Sequence, residues 1–441
     1  MSAVETEQQA DARDVGADQP RDAGGPRRRF GRLAGDTGWA FGAELLTLIA
    51  SLLAMYLIST RLGPADYGQF VGAQALAATL GMFSYASVGQ LLLQGVVRDR
   101  RPAEEVLARC LTLLVGSTAV AMAAGFLLRP LLFPQLGLLV FTLLTLAELV
   151  GSGVVALASS HHQALDAYRL SVALRMLLLV LRAAALLLLA TGQALSLEAV
   201  AWAYGTLGLL AAAAVLVHLR AHNGHRLRLA WPTRTDVRDT FSFSAALLAF
   251  SVHEDADKIL LVRLADPVTA GLYAAAYRAV QVAVAPLRAL QAASHRRFLE
   301  HDPTRRGEHV QRSARFTALG AGYGCLAAVA VVLVAPLLPV VLGPAYAGSV
   351  EMVRLLGVLV LLRGLGMFCF NGLMGLRAHG TRLLAVGSAA AVAALMCGVF
   401  IPLWAWRGAV AATLVAELVF VVLSWAALVR LQRRHDAGLS Q

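Results

Sequence analysis

The stretch SVHEDADKILLV, residues 251–262, places His253, Glu254, Asp255, Asp257 and Lys258 in a run that is otherwise apolar. Lys258 is the only lysine among 441 residues, so every other basic side chain in the formal charge of +11 is an arginine. On a helix Glu254 and Lys258 share one face at i, i+4, while Asp255 and Lys258, and Glu254 and Asp257, are three apart. Carboxylates around an ammonium can hold or exchange a proton or a cation. They also offset part of each other's burial cost. The acids outnumber the lysine, so the cluster calls for a cation, a proton or an arginine from a neighbouring helix. It reads as either a coupling-ion site or a structural ion-pair knot. Lysine can lose its proton when buried and arginine does not, which is a physical reason for a lysine here.

Charges of the opposite sign lie in other apolar runs. Arg175 and Arg182 are seven apart, hence on one helix face; Arg278, Gln281 and Arg288 fall in a narrow arc; Arg363 and Asn371 lie within a third run. Guanidinium binds phosphate through a planar fork. For Arg175 and Arg288, near helix ends, snorkelling toward water is the competing reading. Glu44, Thr47 and Ser51, and likewise Thr145, Glu148 and Ser152, form polar stripes that suit helix–helix hydrogen bonding or a wetted wall. A charge at the centre of a membrane helix costs roughly 2.5–3.5 kcal/mol on insertion scales, so such residues tend to face a cavity.

The elements that carry these residues are set by composition: 58% hydrophobic and 15% charged. Apolar runs of roughly 20 residues suffice to cross a bilayer core of ~30 Å. Rich in Leu, Ala and Val and without period-two alternation, they predict helices. About twelve spans are expected, near 36–60, 68–93, 105–128, 135–158, 170–190, 197–218, 239–262, 271–294, 313–335, 348–375, 380–402 and 407–429. Prolines mark most ends; Pro286, inside the eighth span, predicts a kink. Alternate connections concentrate arginine, from Arg98, Arg100 and Arg101 through Arg220–Arg238 to Arg377 and Arg382. The positive-inside rule then places both termini in the cytoplasm and explains the net charge without a nucleic-acid partner.

Residues 1–33 are polar and predicted to be a disordered cytoplasmic tail without a secretory signal. Lobes at 34–220 and 239–430, a basic cytoplasmic linker at 221–238 and a tail at 431–441 complete the division. Cys110, Cys325, Cys369 and Cys397 read as small buried hydrophobes, and His161–His162 as a solvated loop pair with no metal-ligand spacing around it. No GxxxxGK[ST] motif is present, and nothing calls for a cofactor or a metal.

The chain repeats itself loosely. RPLLFPQLG at 129–137 aligns with APLLPVVLG at 335–343, and RLGPADYG at 61–68 with RLADPVTAGLY at 263–273. Two six-helix lobes follow; an even number of spans per lobe makes them parallel, related by a pseudo-twofold axis along the membrane normal.

On these residues the chain resembles the polysaccharide (O-antigen-type) flippases of the multidrug/oligosaccharidyl-lipid/polysaccharide exporter superfamily. LGPADYGQFVGAQALA resembles the segment after their first helix, and DKILLVRLADPVTAGLYAAAYR their seventh helix and its turn. LGPAYAGSVEMVRLLGVLVLLRGL resembles the tenth helix and WRGAVAATLVAELV the twelfth. The resemblance implies an all-α integral membrane fold of twelve helices in a bacterial inner membrane. It further implies flipping of polyprenyl-pyrophosphate-linked oligosaccharide by alternating access, with no enzymatic step. The implied partners are that lipid-linked oligosaccharide, membrane lipids, a coupling H+ or Na+, and the polysaccharide polymerase machinery. Two other readings stay open: a cation-coupled multidrug exporter, favoured by the acidic cluster, and a membrane glycosyltransferase or polymer ligase, which short external connections disfavour.

Overall fold

The computed structural model describes residues 26–222, 228–299, 307–376 and 378–438. Residues 1–25 of the predicted tail, 223–227 of the predicted linker and 439–441 of the C-terminal tail lie outside the described residues. The chain divides into Met1–Gly42 and Ala43–Gln441, and the helical body considered below is the second of these.

Twelve helical spans are found among the described residues. The helix Pro26–Gly81 breaks at Gly63, whose φ of 78° and ψ of 175° suit glycine, while Pro64 favours an extended residue before it and starts the next helix. This gives α1 (26–62) and α2 (64–98). Then follow α3 (Ala103–Leu132), α4 (Leu138–Ala164), α5 (Tyr168–Thr191) and α6 (Leu197–His222). The second half contains α7 (Arg234–Leu264), α8 (Pro267–Leu299), α9 (Glu308–Val334), α10 (Ser349–Gly375), α11 (His379–Trp404) and α12 (Trp406–Gly438). Among the described residues nine stretches are long and apolar enough to cross a membrane, the first of them, Leu45–Arg98, running from within α1 to the end of α2. Helices α7 and α8 are as long but more polar, because they carry the charged residues singled out above. Pro286 lies within α8, and Tyr323 of α9 donates to the Ala283 carbonyl (2.9 Å) one turn before it.

Helices α2–α6, with the 43–62 part of α1, pack as one lobe and α7–α12 as the other, with α7 also lying along α2 and α3. The predicted internal repeat is visible where the lobes meet. A Cβ on Gly68 would stand 2.1 Å from the Pro267 carbonyl oxygen, and one on Gly271 would stand 1.9 Å from the Pro64 carbonyl oxygen. Pro64 and Gly68 of α2 therefore face Pro267 and Gly271 of α8 reciprocally, as a twofold relation requires.

The core shows where the lobes are fused. One buried cluster joins Leu57, Ile58, Tyr67 and Phe141 of the first lobe to Tyr273, Tyr346, Leu356 and Val410 of the second. All of these sit toward the arginine-poor ends of their helices. Toward the arginine-rich ends the cores separate: Val88, Leu107 and Leu157 belong to a first-lobe cluster, and Cys369, Leu373 and Leu428 to a second-lobe one. Among the described residues α7 bridges the lobes at that end. Thr79 and Ser251 share a hydrogen bond (2.9 Å), Ser244 donates to the Phe83 carbonyl (3.0 Å), and Asp236 pairs with Arg101 (2.9 Å) and Arg109 (3.5 Å).

Candidate functional site

In the second lobe the acidic stretch of α7 meets three other helices. Lys258 approaches Asp255 Oδ1 at 2.9 Å and Asp257 Oδ1 at 3.3 Å, donates to the Glu254 carbonyl oxygen, and lies 3.8 Å from the centre of the Tyr277 ring. Both Asp257 and Lys258 are buried. The expected i, i+4 pair between the Glu254 carboxylate and Lys258 does not form. Glu254 turns instead to Arg363 of α10, at 2.7 Å, because that guanidinium has no other close, well-aligned carboxylate. Arg363 also donates to the Tyr277 hydroxyl (2.9 Å).

The opposite face of α7 forms a two-rung ladder with α12. Asp257 Oδ2 accepts from Tyr273 (2.6 Å) and Thr413 (2.9 Å); one turn away His253 Nε2 stands 3.3 Å from Glu417 Oε2. Arg363 Nε lies 3.7 Å from the same Glu417 oxygen, so this arginine links α7, α8, α10 and α12. Its neighbour among the predicted residues, Asn371, is buried and exchanges hydrogen bonds with Gln291 of α8, which makes it a helix–helix tie. Arg278 donates to Gln281 (3.2 Å), and Arg288 is near enough to contribute its positive field at Glu254.

The first lobe holds a smaller cluster built on two π-turns, Met82–Ala86 in α2 and Ala147–Ser152 in α4. Such turns leave backbone carbonyls without an in-register partner, and they recur at functional sites. Tyr85 from one turn donates to Glu148 in the other (2.8 Å), and Ser152 donates to the same carboxylate (3.0 Å). Arg182 of α5 sits 3.6 Å from Glu148, donates to the freed Ala147 carbonyl (2.8 Å), and stacks over Tyr204 at 5.1 Å. Arg175, on the same helix, is exposed and forms no ion pair among the described residues. The side chain of Glu44 lies outside the described residues, and Thr145 bonds back to the Phe141 carbonyl (2.7 Å).

A family model described as "Polysaccharide biosynthesis protein" matches residues 33–289, more than half of the chain. The chain belongs to the polysaccharide biosynthesis protein family. No curated protein matches it. Among solved structures, the inward-facing conformation of a multidrug resistance MATE family transporter of the MOP superfamily shares 15% identity at a TM-score of 0.61, covering 88% of this chain and 96% of that one. The outward-facing conformation of such a transporter matches at TM-score 0.58 with 15% identity, over 90% and 97% of the two chains. A MOP superfamily transporter from Pyrococcus furiosus, described by a reversed polarity of its binding pocket, matches at 0.58 with 15% identity, over 92% and 97%. These likenesses establish that the chain shares the all-helical, multi-pass membrane fold of those proteins.

Several residues of the clusters in this polysaccharide biosynthesis family member escaped sequence reading. Glu417 is the one acid in the apolar stretch 407–429 of α12, and Tyr273, Tyr277 and Thr413 look like ordinary helix residues; only tertiary contact brings them to α7. His161 and His162 correct the expectation of a solvated pair. Both are buried, and His162 Nε2 lies 3.1 Å from His218 Nε2 of α6, because the end of α4 is packed against α6 rather than fraying into a loop. Of the four cysteines predicted to be buried, Cys325 is exposed, since its face of α9 points away from the lobe.

Proposed function

We propose that the protein carries a polyprenyl-pyrophosphate-linked oligosaccharide from the inner to the outer leaflet of a bacterial inner membrane by ion-coupled alternating access. Family membership supports the substrate class. The observation that carries the mechanism is the one-sided core: the lobes are fused at their arginine-poor ends and have separate cores at the arginine-rich ends. With arginine-rich loops in the cytoplasm, this is a state open to the inner leaflet. The lipid tail stays in the bilayer while the charged head group passes between the lobes. Arg182 and Arg363 already hold carboxylates, and a pyrophosphate exchanges for Glu148 or Glu254 at such a guanidinium. Arg175, Arg278 and Arg288 supply further cations on helices α5 and α8.

The acidic cluster is also the main support for a cation-exporting reading. Here, however, Lys258 and Arg363 sit among those acids, which weakens attraction for an organic cation. An enzymatic reading gains no support from Asp266 in the α7–α8 turn, which accepts from the backbone and hydroxyl of Thr269 (2.8 and 2.6 Å) in a helix-capping role.

The test is reconstitution in vesicles with a fluorescent polyprenyl-pyrophosphate oligosaccharide and an impermeant quencher. The wild type is expected to equilibrate the lipid between leaflets faster than empty vesicles. The pair Arg182→Ala with Arg363→Ala is expected to lose the activity by about tenfold or more while remaining monodisperse. Transport of a cationic dye, with the glycolipid left untouched, would replace this reading by the exporter.

A further inference from the structure

Within this cluster, among the described residues, the charge count does not close. Glu254, Asp255, Asp257 and Glu417 bring four negative charges, Lys258 and Arg363 two positive ones, and 4 − 2 leaves two uncompensated. Arg288 contributes at Glu254. The remaining deficit falls at Glu417, whose carboxylate is buried and has Arg363 only at 3.7 Å, a distance without a hydrogen bond. The group nearest that carboxylate is His253 Nε2, at 3.3 Å.

The geometry points to His253 and Glu417 as the site of an exchangeable proton that sets the conformational state of the transporter. The coupling ion is thus a proton, held as an imidazolium–carboxylate pair between α7 and α12. Both side chains are 6% exposed, and the His253 ring packs on Phe420 at 5.7 Å, so the pair sits in a setting where a missing charge is costly. The other ring nitrogen, Nδ1, is buried without a hydrogen-bond partner. An imidazole clamped at one nitrogen only is free to reorient when its proton leaves.

On α7 the neighbours of the pair are Glu254, Asp255, Asp257 and Lys258, the last three forming their own pairs. On α8 the titratable groups are Tyr273 and Tyr277, held by Asp257 and Arg363, together with Arg288. From α10 comes Arg363. From α11 come Cys397, close to Asp257, and Arg382, which is set behind the Phe370 and Phe420 rings. Among the described residues none of these comes as close to the Glu417 carboxylate as His253 Nε2, so the imidazolium is the cation best placed to compensate it.

His253 also has the right place on the fold. Two residues away Ser251 bonds Thr79 across the lobes (2.9 Å), and α7 is the helix that runs along both. The protonated pair ties α7 to α12 of its own lobe and supports the state described here. Loss of the proton leaves Glu417 and Glu254 competing for Arg363 and loosens α7. The sign follows: the state closed at the arginine-poor end is favoured while the pair holds its proton and is lost at higher pH, when the proton leaves. This inference rests on the alternating-access part of the proposed function and is independent of the substrate.

The experiment uses the full chain in lipid nanodiscs, with Cys325→Ala removing the exposed thiol and spin labels at Glu104→Cys of α3 and Arg315→Cys of α9, both exposed near the arginine-rich end. Distance distributions are recorded from pH 6 to pH 8 without substrate. The ratio of long to short distances is expected to fall by about threefold or more on raising the pH. His253→Asn and, independently, Glu417→Gln are expected to flatten that dependence. A wild type insensitive to pH, or both variants retaining the wild-type profile, overturns the assignment. Either result leaves the glycolipid assay above to stand or fall separately.

Discussion

Lys258 shows how much the shape of one side chain decides. Its ammonium touches Asp255, Asp257 and the Glu254 carbonyl at once and lies under the Tyr277 ring, a pocket that suits a compact cation. A guanidinium is broader and presents a flat fork. Lys258→Arg is therefore expected to fold but to slow transport. Lys258→Met strands two carboxylates, one of them fully buried, and breaking a buried pair costs about 3–5 kcal/mol; thermal unfolding in detergent should detect it readily. Because the lysine pairs with Asp255 and Asp257 and not with the Glu254 carboxylate, Asp257→Asn is the expected partial rescue, and Glu254→Gln is not. Wild-type unfolding in Lys258→Met would remove the ion-pair account. The i, i+3 neighbours of this lysine were legible in the sequence, since helix geometry fixes them. Glu417 was not, because nothing local separates a lone acid that meets Arg363 and His253 from one that faces lipid.

At the scale of elements, the start of α7 is held by an acid with two tasks. Thr233 and Asp236 form a capping box, the Thr233 hydroxyl accepting from the Asp236 amide (3.1 Å) and the Asp236 carboxylate from the Thr233 amide (2.9 Å). The same carboxylate receives Arg101 and Arg109 from the first lobe. Burial alone would raise its pKa, but the hydrogen bonds from Arg101 and Thr233 outweigh this and hold it below the ordinary 3.8. With the folded value depressed, the contact contributes fully above the unfolded value and is lost as pH falls through the folded one. Asp236→Asn mimics the protonated form at neutral pH. It is expected to raise hydrogen exchange in the first turns of α7 and leave the α7–α8 turn unchanged; uniform protection in the variant would deny the latch. The capping box could be read from TRTD. The π-turns in α2 and α4 could not, since nothing in MFSYA or AELVGS departs from ordinary helix propensity. The freed carbonyls there are taken by Ser244 and Arg182.

For the molecule as a whole, the hydropathy pattern carried the architecture: twelve apolar runs became twelve helices because a bilayer leaves a backbone few other ways to satisfy its hydrogen bonds. The paired prolines carried the twofold relation, now seen in the mutual approach of Gly68 and Gly271. Which ends of the lobes touch was not legible, since both states of a transporter share one sequence. The closure has a direct consequence. At the arginine-poor end Arg263 donates to the Leu131 carbonyl (3.1 Å) and Tyr346 to the Ser59 carbonyl (3.2 Å), each across the lobes. Under the proposed function, release into the outer leaflet requires these contacts to part. Leu131 and Arg263 are both exposed, so Leu131→Cys with Arg263→Cys can be bridged by a short, impermeant, reducible bis-thiosulfonate. Added to intact cells, the reagent is expected to bridge the pair from outside, stop delivery of glycan to the surface, and release the block on reduction. Either single cysteine treated alike should transport normally. Failure of the impermeant reagent to reach the pair would invert the orientation drawn from the arginines. Full transport with the bridge quantitatively in place would mean that the lobes do not separate at that end, and the rocking mechanism would be wrong.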